Sequence, residues 1–246
     1  LHVGPDKRLY VAKAASCDSC VETDPRRAAL LSFALDGSDP RIVARGLRDS
    51  YDFTWLPVDM GGGLIIGDDT GSTTPAKLNL MEKGQLSGNS GNPPDFGWPG
   101  CDAQGKEIPI HDVPTGNQSA PKDCSKVVRP IATFDPDSHP MGMAFYNSDA
   151  FSPLKNNLLV ALGGSWNAPY TSGYSIVRVP FNAQGMAGIP APLIPDLSGG
   201  FNTISDASLY MISFYPDHPT GIVVDAQGGI YISVSEGRIY RFRPRP

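Results

Sequence analysis

The sequence predicts an all-β propeller, and three observations carry that expectation. A strand–turn–strand phrase closes the chain, a copy of it opens the chain, and the composition is one of turns. The closing copy runs Pro219-Thr220-Gly221-Ile222-Val223-Val224, turns through Asp225-Ala226-Gln227-Gly228-Gly229, and returns as Ile230-Tyr231-Ile232-Ser233. Ile230 and Ile232 alternate with Tyr231 and Ser233, the period of a half-buried strand. A third strand follows in Arg238-Ile239-Tyr240-Arg241-Phe242, after Glu236-Gly237. Three antiparallel strands on two tight turns make most of one propeller blade.

The opening copy is Val3-Gly4-Pro5-Asp6-Lys7-Arg8-Leu9-Tyr10-Val11. Two weaker copies lie between. One is Phe53-Thr54-Trp55-Leu56-Pro57, turning through Gly61-Gly62-Gly63 into Leu64-Ile65-Ile66. The other is Met143-Ala144-Phe145-Tyr146 followed, after a longer turn, by Asn157-Leu158-Leu159-Val160-Ala161-Leu162. Recurrence of one supersecondary unit along a chain marks a repeat architecture, and roughly four modules are legible here.

The 246 residues suffice for one large all-β domain or two ordinary ones. Glycine (27) and proline (24) make up about a fifth of the chain without a collagen period, so their excess is turn chemistry. Charged residues are 18% and the net charge is −5. No basic stripe follows from that balance, which argues against nucleic acid as a partner. No apolar run approaches the ~20 residues that span a bilayer. Leu1 is not a natural start, so the native N-terminus is expected upstream.

The four cysteines fall into two pairs. Cys101 and Cys124 bracket a Pro/Gly/Asn/Ser-rich loop, and a bridge there would staple a segment with little core of its own. Cys17-Asp18-Ser19-Cys20 is a C-x-x-C, open to disulfide, redox, zinc or haem readings. Haem attachment needs histidine next, where Val21 stands, and zinc needs a second pair of matching spacing, so a structural disulfide is favoured. Asn117-Gln118-Ser119 is a glycosylation sequon in the same loop as Cys101 and Cys124. Sequon, even cysteines and low charge together point to a secreted protein.

Taken in order, residues 1–45 hold the first hairpin, the cysteine loop and a strand Ala28–Phe33. Arg48 follows on a loop between modules, where a solvated arginine is the commoner reading and an anion clamp the sharper one. Asp68-Asp69 in a Gly/Thr loop could hold calcium through oxygen ligands, although acidic surface turns are common. Residues 84–126 read as a long stapled loop anchored by Asp95-Phe96-Gly97-Trp98-Pro99. Residues 127–181 read as one module, and 186–218 as a Pro/Gly-rich connector. His2, His111, His139 and His218 are scattered, and none stands at a triad or metalloprotease spacing.

Several phrases recur together in one known family. Gly4-Pro5-Asp6 with Leu9-Tyr10-Val11, Gly46-Leu47-Arg48, Thr74-Pro75-Ala76-Lys77-Leu78-Asn79, Phe96-Gly97-Trp98-Pro99, Gly164-Ser165-Trp166-Asn167 and Gly173-Tyr174 occur in this order. The chain thus resembles the soluble quinoprotein sugar dehydrogenases, the glucose/sorbosone dehydrogenase family with its fungal pyranose dehydrogenase branch. The resemblance implies a six-bladed propeller, with pyrroloquinoline quinone (PQQ) over the central channel, propped by calcium. It implies a histidine base that takes the sugar hydroxyl proton while hydride passes to the quinone. Carried over residue by residue, Arg48 matches the family arginine that contacts the quinone, and Asp49 stands in the place of its asparagine. Gly71 and Ser72 match the pair whose backbone carbonyls hold calcium.

The departures from the family are specific. Its catalytic histidine lies just before the segment matching Val3-Gly4-Pro5, and His2, inside the strand, is not its counterpart. The family's His-Gly-Ser-Trp-Asn-Arg is here Gly163-Gly164-Ser165-Trp166-Asn167-Ala168. Its Arg-Pro-x-Gly is His218-Pro219-Thr220-Gly221, and an acidic position of its calcium loop is Lys77. No catalytic residue is therefore assigned. The expectation is one propeller domain over 1–246, with about four of six blades and the N-terminal blades outside the chain. The expected function is that of a secreted PQQ-dependent sugar or aldose dehydrogenase-like propeller with a degenerate site. The alternative is a redox-inactive propeller that binds carbohydrate or another partner. A propeller hydrolase is disfavoured because no convergent set of carboxylates stands out.

Overall fold

The computed structural model describes residues 1–86, 92–110, 123–166, 171–194 and 214–243. Its regular structure is β-strand, interrupted by short 3₁₀ turns. The first sheet is β1 (His2–Val3), β2 (Leu9–Lys13), β3 (Ala29–Phe33) and β4 (Arg41–Arg45), in that spatial order. The second is β5 (Phe53–Trp55), β6 (Leu64–Asp68), β7 (Pro75–Met81) and β8 (Ala132–Pro136). The third is β9 (Pro140–Tyr146), β10 (Asn157–Leu162), β11 (Ser175–Pro180) and β12 (Ala191–Ile194). The fourth is β13 (Pro219–Val224), β14 (Ile230–Val234) and β15 (Ile239–Phe242). Every neighbouring pair within a sheet is antiparallel, so each sheet is an up-and-down meander, the blade of a propeller.

Two boundaries differ from the sequence reading. Ala132–Pro136 pairs with β7 and completes the second blade, so the third module starts at Pro140 rather than at 127. Ala191–Ile194 lies inside the expected connector yet pairs with β11 as the outer strand of the third blade. Pro192 is tolerated there because an edge strand leaves outward-facing N–H groups without ladder partners.

Strand β10 shows why a blade interior reads as one continuous apolar run. All six residues are buried. Leu158, Val160 and Leu162 face a core shared with the first two sheets, while Leu159 and Ala161 face a core shared with the fourth. A strand covered on both faces loses the apolar–polar alternation of a half-exposed one. The first strands of successive blades approach closely. A side chain at Gly142 of β9 would meet the Gly221 backbone of β13 at 2.6 Å, so position 142 requires glycine. Asp52 joins three blades, since its Oδ1 lies 2.7 Å from His2 Nε2 and its Oδ2 accepts the Met143 amide at 2.8 Å.

Among the described residues, neither buried core joins the first sheet to the fourth, so the four blades form an arc. Apolar side chains stand exposed at its ends, Leu1 and Val3 at one and Val223 and Ile239 at the other.

Candidate functional site

In a meander of alternating strands, every connection from an even to an odd strand emerges at the same end of the blades. The unusual polar residues of the sequence sit on these connections. Asp18 lies between β2 and β3, Arg48 and Asp49 between β4 and β5, and Asp69 and Gly71 between β6 and β7. Asp137 and His139 lie between β8 and β9, Trp166 between β10 and β11, and His218 just before β13.

Arg48 is the hub. Its Nη1 donates to Asp69 Oδ2 at 3.1 Å and its Nη2 to Asp18 Oδ1 at 2.5 Å. Only 17% of its side chain is exposed, so the solvated-arginine reading of the sequence is corrected: Arg48 is held internally by two carboxylates. Gly71 packs beside the guanidinium, and its φ of +104° is a backbone conformation that L side chains rarely adopt, so the turn favours glycine there.

Asp68 and Asp69 are fully buried, which corrects the surface-turn reading. Asp68 stands directly across the ladder from Lys77, whose ammonium lies 3.9 Å from Asp68 Oδ2 and donates to the Phe96 carbonyl at 2.8 Å. Burial pushes the Asp68 carboxyl up to about 6, with Lys77 opposing. Burial likewise raises Asp69, opposed by His139 and Arg48, and raises Asp49, opposed by Arg48 and His139. Asp49 is tied in through its backbone: its amide donates to Asp68 Oδ1 at 3.0 Å and its carbonyl accepts the Asp69 amide at 3.0 Å.

Beyond Asp69 stands His139. Its Nε2 is 3.6 Å from Asp69 Oδ2, and its Nδ1 lies 3.1 Å from the Asp137 carbonyl. A carbonyl only accepts, so Nδ1 carries the proton and Nε2 faces Asp69. Asp137 (φ 57°) and His139 (φ 50°) both occupy the left-handed region, a cost concentrated at sites where side-chain direction matters. The His139 ring has Trp166 and Tyr51 each at 6.5 Å. Trp166 in turn stacks on His218, with centroids 3.9 Å apart and planes 5° from parallel. His218 Nδ1 donates to the Gly163 carbonyl at 2.8 Å. Two of the histidines that look scattered in the sequence thus meet on one tryptophan.

A family model described as TrAA12-like matches residues 58–243. The chain belongs to the TrAA12-like family. No curated protein matches it. Among solved structures, the calcium form of Trichoderma reesei carbohydrate-active enzyme family AA12 superposes with a TM-score of 0.69 at 16% identity, over 99% of this chain and 67% of that one. The holo form of the pyranose dehydrogenase PQQ domain from Coprinopsis cinerea gives 0.66 at 17% identity, over 98% and 68%. The soluble aldose sugar dehydrogenase of Escherichia coli gives 0.65 at 15% identity, over 97% and 61%. The resemblance read in the sequence is borne out, and with it the propeller. This TrAA12-like chain spans about two thirds of the length of these structures.

The remaining expected residues of the TrAA12-like chain fall as follows. Cys17–Cys20 and Cys101–Cys124 are both disulfides. The first closes the loop that delivers Asp18 to Arg48, and the Trp98 indole N–H donates to the Asp18 carbonyl at 3.3 Å. The Gly71 carbonyl accepts the Asp137 amide at 3.2 Å, and Ser72 is exposed. Asn117 and Ala168 lie outside the described residues. Gly163 sits against Met141, leaving no room for the family histidine without Met141 moving. Sequence reasoning misses Asp137 and His139. Their signal is local: a carboxylate and an imidazole two residues apart, just before a strand.

Proposed function

We propose that this chain forms the body of a secreted sugar dehydrogenase-like propeller whose quinone site has changed in charge. The observation that supports the reading is the convergence of Arg48, Gly71, His139, Trp166 and His218 at one end of the blades, in a TrAA12-like family member. The oxidised cysteines agree with an extracellular setting. No helix among the described residues is long and apolar enough to cross a membrane. A single domain over 1–246, completed by further blades, is the reading that suits the open arc.

The described residues do not fit PQQ as they stand. Three carboxylates entering a low-dielectric site need cationic partners. Arg48 is already committed to Asp69 and Asp18, Asp49 interacts with it as well, and Asp137 adds a further carboxylate beside Asp69. A cation fits better, because the Gly71 amide donates to Asp69 Oδ2 at 3.2 Å while its carbonyl, which accepts the Asp137 amide at 3.2 Å, keeps a second lone pair. The ring of Trp166, half exposed and backed by His218, offers the flat apolar surface that the face of a sugar stacks on.

Oxidation of a panel of aldoses with an artificial electron acceptor, by the full-length protein supplied with PQQ and calcium, tests the reading. Slow turnover that rises with PQQ concentration supports it. Sugar binding without any turnover at saturating PQQ overturns the dehydrogenase part and leaves a carbohydrate-binding propeller.

A further inference from the structure

We propose that Asp69, Asp137 and His139 form a binding site for a divalent d-block cation of the zinc type, made from side chains alone. It adjoins Gly71, whose amide donates to Asp69 Oδ2 and whose carbonyl accepts the Asp137 amide, each at 3.2 Å. It differs from the backbone-carbonyl calcium position that the family resemblance implies in using side-chain donors, and it does not depend on a quinone.

Each of the three residues brings one donor atom, all three residues are buried, and the donors lie within 4.8 Å of one another. Donors sharing an ion at ~2.1 Å in a tetrahedral site stand ~3.4 Å apart, so closure needs the widest pair to contract by up to about 1.4 Å. The pair from His139 Nε2 to Asp69 Oδ2 already stands at 3.6 Å. Two further observations point to a ligand. Asp69 Oδ1 is buried without a hydrogen-bond partner, and so is Ser138 Oγ in the segment between Asp137 and His139. An acceptor left without a donor in the interior is costly unless a cation satisfies it. The imidazole is also set as a metal ligand usually is. Nδ1–H donates to the Asp137 backbone carbonyl, which leaves Nε2, facing Asp69, as the atom that ligates an ion when the ring is neutral.

Ligand chemistry selects the ion. One imidazole and two carboxylates suit Zn²⁺ or Co²⁺, whereas calcium favours six or more oxygens. Three protein donors leave a fourth position open, and the rings of Trp166 and Tyr51 each stand 6.5 Å from that of His139. Cys17, Cys20 and Glu22 form the other cluster of potential ligands among the described residues, but both thiols are consumed in a disulfide.

The test is equilibrium dialysis of the full-length, oxidised protein against Zn²⁺, with Co²⁺ as the spectroscopic probe. One ion per chain and a visible Co²⁺ band of low coordination number are expected, with quenching of Trp166 fluorescence. His139→Gln and Asp137→Asn should each abolish the band while circular dichroism stays that of the parent. Trp166→Phe should keep the band and lose the quenching. No stoichiometric binding would overturn the proposal, as would binding that survives both ligand variants, or a site that takes Ca²⁺ and excludes Zn²⁺. If a ligand variant fails to fold, the Trp166→Phe result decides the location: a retained band with lost quenching places the ion beside Trp166, and retained quenching overturns the proposal.

Discussion

The Arg48 guanidinium donates to the buried carboxylate of Asp69 at 3.1 Å, across the gap between the first and second blades. Asp69 is fully buried and Arg48 nearly so, whereas the other partner of Arg48, Asp18, is largely exposed. The pairing is therefore unequal. Removing Arg48 strands a charge in the interior, while removing Asp69 leaves Arg48 on Asp18. Arg48→Met should lower unfolding stability by about 3 kcal/mol, and Asp69→Asn by clearly less. Urea denaturation of both variants measures the asymmetry. Equal losses would mean that the pair does not organise this junction.

The pair between Lys77 and Asp68 makes a second claim of the same kind. Both side chains are buried, they face each other across β6 and β7, and Lys77 also holds the Phe96 carbonyl of the long loop. Lys77→Met should cost roughly 3–5 kcal/mol, because it leaves buried Asp68 without its counter-charge and takes the ammonium donor from that carbonyl. Adding Asp68→Asn should recover part of the loss. A double variant no better than the single one would place the whole cost on the loop contact.

Tyr10 gives a pH dependence with a definite sign. Burial, then the hydrogen bond to Asp6, raises its phenol well above the ordinary value of 10.0. Between the unfolded and folded values the native state holds the proton that the unfolded chain has lost. Stability must then fall as pH rises above about 10. Tyr10→Phe should make that alkaline slope shallower while leaving the slope near neutrality unchanged. A slope unaffected by the substitution would assign the linkage to Tyr51 or Tyr174, both also raised by burial.

The blades are legible in the sequence wherever a strand is long and apolar, and the site only in part. β10 reads as a strand from Leu158–Leu162 alone, because both its faces are covered and its apolar run is unbroken. β12 does not read as a strand, because two of its four residues, Ala191 and Pro192, carry no strand signal and its pairing with β11 comes from outside the segment. Arg48 is legible through its motif, but its partners are not. Asp18 and Asp69 are 30 and 21 residues away, and only the stacking of blades brings them to it. His139 is lost for the same reason, since Asp69 and Trp166 reach it from neighbouring even-to-odd connections.

The central claim is that Arg48 is already neutralised and that the site as built repels a tricarboxylate. Calorimetric titration of PQQ into the protein with calcium present tests it most directly, using the parent, Arg48→Ala and Asp18→Asn. Weak or undetectable binding is expected for the parent, with no further loss in Arg48→Ala. A gain of up to about tenfold is expected in Asp18→Asn, where one neutralising partner is gone. Tight binding by the parent that Arg48→Ala abolishes would contradict the account and make Arg48 a working quinone ligand.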